Sequence, residues 1–439
     1  MACEYKECRL SDISIAITKG TTPVTYGHAY TTEGVNFVKS ESITPDGWID
    51  LSKFARISPE THAALARSHL MCGDILFSMA GVYLGKTAVV TESILPANCN
   101  QAVGIIRLRD DMADPHFIAY YIRNPAYNLF LNNLVSQSAQ PNFNLSEIRR
   151  LPIALPPLAE QKAIAGVLGA LDDKIELNRR MNATLESMAR ALFQSWFVDF
   201  DPVRAKLDGR PPTGMDKATA DLFPDSFQES SLGCIPKGWE TGSILRQADL
   251  LSGGTPKTDV AAYWNGDVPW ASAKDVSQCG EAFLLSTERT ITKLGIEESS
   301  TKIIPEFATV VVARGATTGR LTMCGHSMAM NQTCYGLRTK VGAPFSLYCN
   351  VRHFIERIVQ GGHGSIFDTI TTSTFEATDV LLAPNELLLA FDKQVSPLFQ
   401  QLHANLHQSR THATLRDSLL PKLLSGELSV AKMKSEVSV

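Results

Sequence analysis

The stretch ILFSMAGVYLGK, residues 75–86, decides the fold because the chain contains it twice in altered form. Its counterpart is TVVVARGATTGR, residues 309–320, about 230 residues further along. Each copy begins with an apolar run of strand length and continues into a glycine-containing turn that ends on Lys86 or Arg320. The same strand and turn at matching points of two long segments indicate two copies of one domain.

Three further pairs of segments occur in the same order around this stretch. KGTTP at 19–23 is similar to GGTP at 253–256, and NFVKS at 36–40 lies opposite PWASA at 269–273. Asn100-Gln101, with Gly104, returns as Asn331-Gln332, with Gly336. A period of this length is too long for a solenoid and indicates duplicated domains. We therefore expect a protein that binds a target with two parts.

Composition places the chain among globular proteins, with 439 residues of which 44% are hydrophobic and 20% charged. No apolar run approaches the ~18 residues of a membrane helix, and the N-terminus lacks a signal peptide pattern, so we expect a cytoplasmic protein. Nine scattered cysteines without a CxxC pair favour free thiols over a metal site. The net charge of −4 is neutral evidence on DNA binding, which depends on local charge.

Two segments have the spacing of coiled-coil helices, with apolar residues three and four apart in a repeat of about 3.5 residues. The seam of the first comprises Ile164, Leu168, Leu171, Ile175, Asn178, Asn182, Leu185, Ala189, Leu192 and Trp196. The seam of the second, which starts at Asn385, comprises Val395, Phe399, Leu402, Leu406, Ser409, Ala413, Leu420 and Leu423. Asn178 and Asn182 are polar seam positions, which commonly fix register. Pro421 should kink or end the second helix.

These patterns predict an α+β fold in which two mixed α/β domains are joined by two long helices. The helices, each about 50 Å long at 1.5 Å per residue, would form an antiparallel coiled coil, giving a dumbbell with an internal pseudo-repeat. The alternative is that each helix packs only on its own domain. The predicted ranges are 1–155 for the first domain, 156–200 for the first helix, 201–237 for a partly ordered connector, 238–383 for the second domain, 384–430 for the second helix and 431–439 for a tail.

Motifs of enzymes that act on DNA are missing from the sequence. There is no GxxxxGK[ST] phosphate loop, no HExxH and no nucleophile elbow. The Asn-Pro-Pro-aromatic or Asp-Pro-Pro-aromatic tetrapeptide of amino-methyltransferases is absent too, and Pro45-Asp46 with Asp50 and Lys53 has the wrong spacing for a metal-dependent nuclease. Asp172-Asp173-Lys174 lies on the first coiled-coil helix, where charges between seam positions are normally solvated. We therefore expect no catalytic residues and no bound metal.

Several motifs resemble the conserved regions of Type I restriction–modification specificity subunits. LPPLAEQKAI at 155–164, LDDKI at 171–175 with Asn178, and LFQSWFVDFDPV at 192–203 are similar to the central conserved region. LFP at 222–224 through IPKGW at 235–239 resembles the entry to the second target recognition domain. LLPKLLSGEL at 419–428 resembles the end of the second conserved helix. The resemblance spans almost the whole chain.

The resemblance implies a non-catalytic protein whose two target recognition domains each read one half of a split DNA sequence. The helix pair would set the gap between the halves. Expected partners are double-stranded DNA, two adenine methyltransferase subunits and, for cleavage, ATP-driven motor–nuclease subunits. S-adenosylmethionine, ATP and Mg²⁺ would be bound by these partners, and this chain would bind no cofactor. NELLL at 385–389 departs from the family's Pro-rich entry containing Glu-Gln, which makes the two helices less alike.

Candidate DNA contacts are side chains that can pair with base edges or phosphates near the repeated turns. In the first domain they are Lys19, Thr21, Thr22, Lys39, Ser40, Tyr83 and Lys86, and in the second Thr255, Lys257, Lys274, Arg314, Thr317, Thr318 and Arg320. The repeated Asn-Gln pairs are expected to form structural hydrogen bonds, and Trp196 and Phe197 to pack between elements. QSAQ at 137–140 and GGHGS at 361–365 are candidate groove-side loops.

Two other classes of function remain open. A coiled-coil scaffold would join proteins without reading DNA, and its binding would not vary with DNA sequence. A fused methyltransferase or nuclease with disguised motifs would show methyl transfer or cleavage by the chain alone. Since the two domains differ outside their shared skeleton, a DNA target is expected to be asymmetric, with two different half-sites.

Overall fold

The computed structural model describes residues 5–80, 84–135, 142–361 and 369–430. The chain divides into two units, one formed by Met1–Ile175 and Thr411–Val439 and the other by Glu176–Arg410. The division falls inside both long helices, so each unit holds one mixed domain and a segment of each helix. Tyr83, the loop at 137–140, residues 362–365 and the predicted tail at 431–439 lie outside the described residues.

The first unit combines two four-stranded sheets with helices. Strand order is β2-β9-β6-β7 in one sheet and β3-β5-β4-β8 in the other, while β1 pairs with β10. The strands described are β1 (Lys6–Arg9), β2 (Ser14–Lys19), β3 (Tyr30–Thr31), β4 (Val35–Val38), β5 (Ala55–Ile57), β6 (Ile75–Ser78), β7 (Thr87–Val89), β8 (Ala97–Cys99), β9 (Val103–Leu108) and β10 (Pro152–Leu155). The helices are α1 (Pro59–Ala64), α2 (Pro115–Arg123), α3 (Pro125–Val135), α4 (Leu145–Arg150) and the start of α5 (Leu158–Phe197).

The opening stretch of the repeat is a strand because both of its faces are buried. Ile75 and Phe77 belong to one apolar cluster with α2 and the long helices, whereas Leu76 belongs to a second cluster with Val38 and Ile105. Successive side chains of a strand point to opposite faces, so a strand buried on both faces is a continuous apolar run. β6 is therefore the central layer of the first domain.

The second unit repeats this plan. Its sheets have the orders β14-β22-β19-β20-β16 and β17-β15-β21-β18, with β13-β23 and β11-β12 as separate pairs. The strands described are β11 (Phe227–Ser230), β12 (Gly233–Pro236), β13 (Glu240–Ser243), β14 (Ala248–Ser252), β15 (Trp264–Ala271), β16 (Phe283–Leu284), β17 (Arg289–Ile291), β18 (Ile303–Ile304), β19 (Thr309–Val312), β20 (Leu321–Cys324), β21 (Met328–Met330), β22 (Cys334–Thr339) and β23 (Asp379–Leu382). The helices are α6 (Asp201–Leu207), α7 (Lys217–Asp221), α8 (Ala273–Gln278), α9 (Lys293–Glu297), α10 (Pro344–Gly361), α11 (Thr372–Ala377) and α12 (Asn385–Leu424).

The connector at 201–237 contains regular secondary structure. It contains α6, α7 and the hairpin of β11 and β12. The ring of Phe223 is buried and lies edge-on to Trp196, 5.2 Å between centroids, while Phe227 packs against the same cluster. Trp196 and Phe197 are buried in this cluster as well, in agreement with their predicted packing role.

Strand pairing confirms the internal pseudo-repeat. Within otherwise antiparallel sheets, β4 and β8 run parallel, with Val38 opposite Cys99. β15 and β21 form the equivalent parallel pair, with Ala271 opposite Met330. The central strands β6 and β19 likewise pair with β9 and β22 in the same antiparallel way. The two domains therefore share these strand pairs, while the second domain adds β16, which runs parallel to β20.

The long helices pair antiparallel within each unit. In the second unit Asn178 of α5 bonds to Asn405 and Ser409 of α12, whereas Trp196, further along α5, lies 5.4 Å from Phe391, earlier in α12. In the first unit the early part of α5 shares a core with the end of α12. The predicted coiled coil is confirmed, and the alternative of two unpaired helices is excluded. Each helix has 40 residues, and α12 ends one turn after Pro421.

The expectation that the charges of Asp172-Asp173-Lys174 are all solvated is wrong for Asp172. This carboxylate is 5% exposed and accepts hydrogen bonds from the Tyr120 phenol, at 2.6 Å, and from Arg416, at 2.7 Å. Burial, and then the Asp172 carboxylate, raise the pKa of Tyr120. The sequence of α5 alone does not reveal these partners, because they come from α2 and α12.

Buried amides replace apolar residues in the seam of the second unit. The Asn178 amide donates to the Gln408 side chain at 2.9 Å and to the Asn405 carbonyl at 3.2 Å. Asn405 in turn donates to Asn182 at 2.9 Å and accepts from Gln401 at 2.7 Å. These directional bonds are satisfied in one register of the two helices, which supports the predicted role of the seam asparagines.

We predict that Asn405→Ala destabilises the chain by about 1–3 kcal/mol, because it leaves the side-chain carbonyl of the buried Asn182 without its donor. The double change Asn182→Leu with Asn405→Leu should cost less than the single one, since both sides then become apolar. Urea unfolding of the three proteins measures the difference. A double variant less stable than Asn405→Ala would contradict this explanation.

Candidate nucleic-acid interface

The repeated motifs meet at one place in each domain, which we call the junction. Three backbone hydrogen bonds of the first junction recur at equivalent residues of the second. In the first domain they run from Thr21 N to Cys99 O, from Asn100 N to Val38 O and from Met79 N to Ala102 O. In the second they run from Gly254 N to Met330 O, from Asn331 N to Ala271 O and from Ala313 N to Thr333 O. The motifs found in the sequence are therefore the parts of one structural element.

The glycine of each junction is required by close approach. A Cβ atom on Gly20 would lie 2.2 Å from the Asn100 carbonyl oxygen, and one on Gly253 would lie 1.9 Å from that of Asn331. No side chain fits at such distances. The side-chain carbonyl of Asn331 accepts a hydrogen bond from the Thr333 hydroxyl at 2.7 Å, so this repeated asparagine has a structural hydrogen bond.

In the first junction, Lys39 and Ser40 lie beside a second lysine that the sequence did not single out. Lys39 is half-buried, 3.9 Å from Glu41, and its neighbour Ser40 begins a short turn. That turn is held to Lys53 by the Ser42 hydroxyl, which donates to the Lys53 carbonyl at 3.3 Å. Burial lowers the pKa of Lys86, and the Lys53 ammonium lowers it further. Lys53 therefore lies near Lys86, and it is itself paired with Asp50 at 3.3 Å.

The remaining candidates of the first domain flank an exposed loop. Lys19 ends β2, opposite Gly104, and Thr21 and Thr22 lead into the turn Pro23–Tyr26. The Tyr26 side chain is 65% exposed at this turn. An exposed aromatic ring is suited to contact a sugar or base, and a tyrosine within a Thr- and Gly-rich loop was the available sequence signal.

The threonine candidates of the second domain hold loops together. The Thr255 hydroxyl bonds to Gln332, and Thr317 accepts from Ser277 of α8 at 2.6 Å. Thr318 donates to the Gly315 carbonyl within the same turn, at 2.7 Å. These contacts place the turn at 313–320 against α8 and the Thr255 loop against Gln332.

The cationic candidates of the second domain have different surroundings. Arg314 and Arg320 are exposed on the turn between β19 and β20. Lys257 is exposed as well, whereas Lys274 is bonded to Glu288 at 2.6 Å, and that hydrogen bond raises the pKa of Lys274. A phosphate approaching Lys274 must compete with this carboxylate.

Arg289 is the functional candidate that sequence analysis missed in the second domain. Its guanidinium carbon lies 3.4 Å from the centroid of the Trp264 ring. The indole nitrogens of Trp264 and Trp270 donate to the carbonyls of Lys257 and Gly254, so the same rings support the junction loop. An exposed arginine held flat on an aromatic ring is ordered in advance for bidentate recognition of a phosphate or guanine.

The candidate residues of the two domains include cations and threonine hydroxyls, which are chemically suited to an anionic polymer. Within residues 5–80, 84–135, 142–361 and 369–430, no three His, Cys, Asp or Glu side chains are grouped to hold a metal ion. In the same ranges no helix is both long and apolar enough to cross a membrane, and the eight cysteines present are free.

Comparison with known proteins gives a match over most of the chain. The model of the Type I restriction modification DNA specificity domain matches residues 4–187 and again 236–403. The Type I restriction enzyme HindI specificity subunit of Haemophilus influenzae is 25% identical over 415 residues, covering 83% of this chain and 88% of that protein. The MjaIX specificity subunit of Methanocaldococcus jannaschii is 22% identical over 437 residues, covering 97% and 94%.

A solved structure supports the fold. The S subunit of a Type I restriction-modification system from M. genitalium superposes with a TM-score of 0.57 at 13% identity, covering 95% of this chain and 96% of that one. The two separate matches of the domain model coincide with the two junction-bearing domains and extend into both long helices. The chain therefore belongs to the Type I restriction modification DNA specificity domain family, as a specificity subunit.

Proposed function

We propose that this chain reads a two-part, asymmetric DNA target, one half with each domain. The observation that carries the proposal is the duplicated junction, which has the same backbone bonds in both domains but different exposed side chains. The first junction presents lysines and Tyr26, and the second presents arginines. Because the two junctions share a backbone framework but differ in their exposed side chains, the two half-sites should differ in sequence.

Phosphate and base contacts have separate tasks in this proposal. Lys39, Lys53 and Lys86 are point charges suited to phosphates, which position a protein on DNA without reading sequence. Arg289 is suited to base edges or phosphates in a defined orientation, because Trp264 fixes its plane. Affinity should fall steeply with salt, since neutralised phosphates release counterions.

The helix pair is proposed to set the gap and to carry the catalytic partners. Leu177, Met181 and Met188 of α5 are 45%, 37% and 49% exposed. Their spacing places them along one side of α5. We propose that methyltransferase subunits dock on the helix pair there and supply S-adenosylmethionine chemistry, with motor–nuclease subunits supplying ATP and Mg²⁺ chemistry. The chain itself would contribute binding and no catalysis.

We predict that Arg289→Ala relaxes base preference in one half-site alone, by about 1–3 kcal/mol if the guanidinium contacts a base. Binding of the full chain with its methyltransferase partner to duplexes altered in either half-site measures this preference. Arg338→Ala is the matched control, because Arg338 is an exposed arginine of the same domain paired with Asp249. Loss of preference in both halves, or binding indifferent to DNA sequence in the unaltered chain, would contradict the proposal and favour a scaffold.

A further inference from the structure

Two arginines occupy the same position in the two repeats. Arg123 is the last of the nine residues of α2, which starts at Pro115, and Arg352 stands equally far from Pro344 at the start of α10. Each guanidinium also lies near a tyrosine ring of its own helix. The distance from its central carbon to the ring centroid is 4.5 Å for Tyr120 and 6.0 Å for Tyr348.

In the first unit Arg123 joins the recognition domain to the helix pair. Its Nη2 lies 3.7 Å from Asp172 Oδ2 on α5, with the two side chains 15% and 7% exposed. Arg123 also donates to the Asp46 carbonyl of its own domain. Arg416 of α12 completes the group by binding Asp172 at 2.7 Å. One buried carboxylate thus ties α2, α5 and α12 together.

In the second unit Arg352 makes the equivalent link to a different carboxylate. It pairs with Glu186 of α5, and its side chain is 30% exposed. Arg352 also donates to the Tyr348 hydroxyl at 3.2 Å, and Glu356 of α10 lies 3.5 Å away. The arginine therefore has the same position in both repeats, while its carboxylate partner comes from a different turn of α5.

These contacts differ in kind from the apolar packing around them. Apolar contacts are non-directional, so they do not by themselves select one orientation of a domain on a helix. An arginine paired with a carboxylate in a partly buried site has a defined geometry, and displacement would leave a charge without its partner. The link consequently opposes rotation and sliding of each domain on its own helix segment.

We propose that Arg123 and Arg352 are positioning residues that hold each recognition domain at a fixed orientation on the helix pair, so that the protein accepts one gap length. This inference rests on the proposed two-part DNA reading. One extra base pair moves a half-site by about 3.4 Å and rotates it by roughly 34°. A firmly held domain cannot follow that movement, whereas a loosened one can.

The test compares duplexes that carry both half-sites with the natural gap, one base pair less or one more. The full chain with its methyltransferase partner is used unaltered and as Arg123→Lys, Arg123→Gln, Arg352→Lys and Arg352→Gln. We expect the preference for the natural gap to fall about tenfold in the glutamine variants, equivalent to roughly 1.4 kcal/mol. Base preference within each half-site should stay the same, and the lysine variants should lie between.

Two controls separate positioning from a general loss of stability. Arg338→Gln removes an exposed ion pair of β22 with Asp249 and should leave the gap preference intact. The double variant Arg352→Glu with Glu186→Arg reverses the ion pair and should restore the gap preference that Arg352→Gln loses. This comparison tests the inference even if an Arg123 variant fails to fold. Folded glutamine variants with the unaltered gap preference would overturn the inference while leaving the two-part reading intact. DNA modification independent of this chain would instead overturn the proposed function.

Discussion

Removal of one heptad from each long helix, residues 173–179 of α5 together with 408–414 of α12, is expected to shorten the gap in the DNA target, the lost helix length corresponding to about three base pairs. Seven helical residues span about 10.5 Å, and base pairs are about 3.4 Å apart. The deletion spares Asp172 with Arg416 and Asn182 with Asn405, so the contacts on either side of the cut survive. Both half-sites should keep their sequences.

Deletion of residues 173–179 alone is the matched control for the role of the helix pair in setting the gap. It leaves seven residues of α12 without a partner and shifts every later seam contact, so modification of DNA should be lost. Methylated motifs mapped in cells that express each variant with the methyltransferase partner measure the gap directly. A constant gap, or altered half-sites, in the double deletion would show that the helix pair does not act as a ruler.

Asp172→Ala is expected to destabilise the first unit by about 3–5 kcal/mol, the largest effect of a single side chain in this account. The change leaves Arg416 and Arg123 without their shared carboxylate and removes the acceptor of the Tyr120 hydroxyl. Such a loss is a large fraction of the stability of an ordinary domain. Thermal and urea unfolding of the purified chain measure it.

The neighbouring Asp173→Ala is the control, because Asp173 is exposed on the same turn of α5. It should change the free energy of unfolding by less than about 0.5 kcal/mol, as is usual for surface positions. Equal effects of the two substitutions would contradict the buried network. A third variant, Arg416→Ala, should destabilise the first unit by less than Asp172→Ala, since Asp172 then keeps Arg123 and the Tyr120 hydroxyl.

The parts of the fold that could be predicted are those that follow from the spacing of apolar residues and from repeated motifs. The seams of α5 and α12 follow from apolar residues spaced three and four apart. The duplication was visible because Gly20 and Gly253 are dictated by close backbone approach, which permits no other residue. Their recurrence marks the same junction in both halves.

The parts that could not be predicted depend on partners distant in the chain. Asp172 has the appearance of a solvated charge until Tyr120 and Arg416 are placed against it. Arg289 becomes a candidate DNA contact through its position on Trp264, and neither residue belongs to a repeated motif. α12 also continues to Leu424, three residues past Pro421, where the sequence favoured a kink or an end. Packing between elements decides each of these cases.

The most direct test of the central claim is whole-genome methylation mapping in cells that express this chain with its methyltransferase partner, with and without the chain. A split, asymmetric motif with one fixed gap, which disappears when the chain is absent, is the result that a two-domain reader joined by a ruler predicts. Methylation that persists unchanged without the chain would contradict the specificity role and would favour a scaffold that joins proteins without reading DNA.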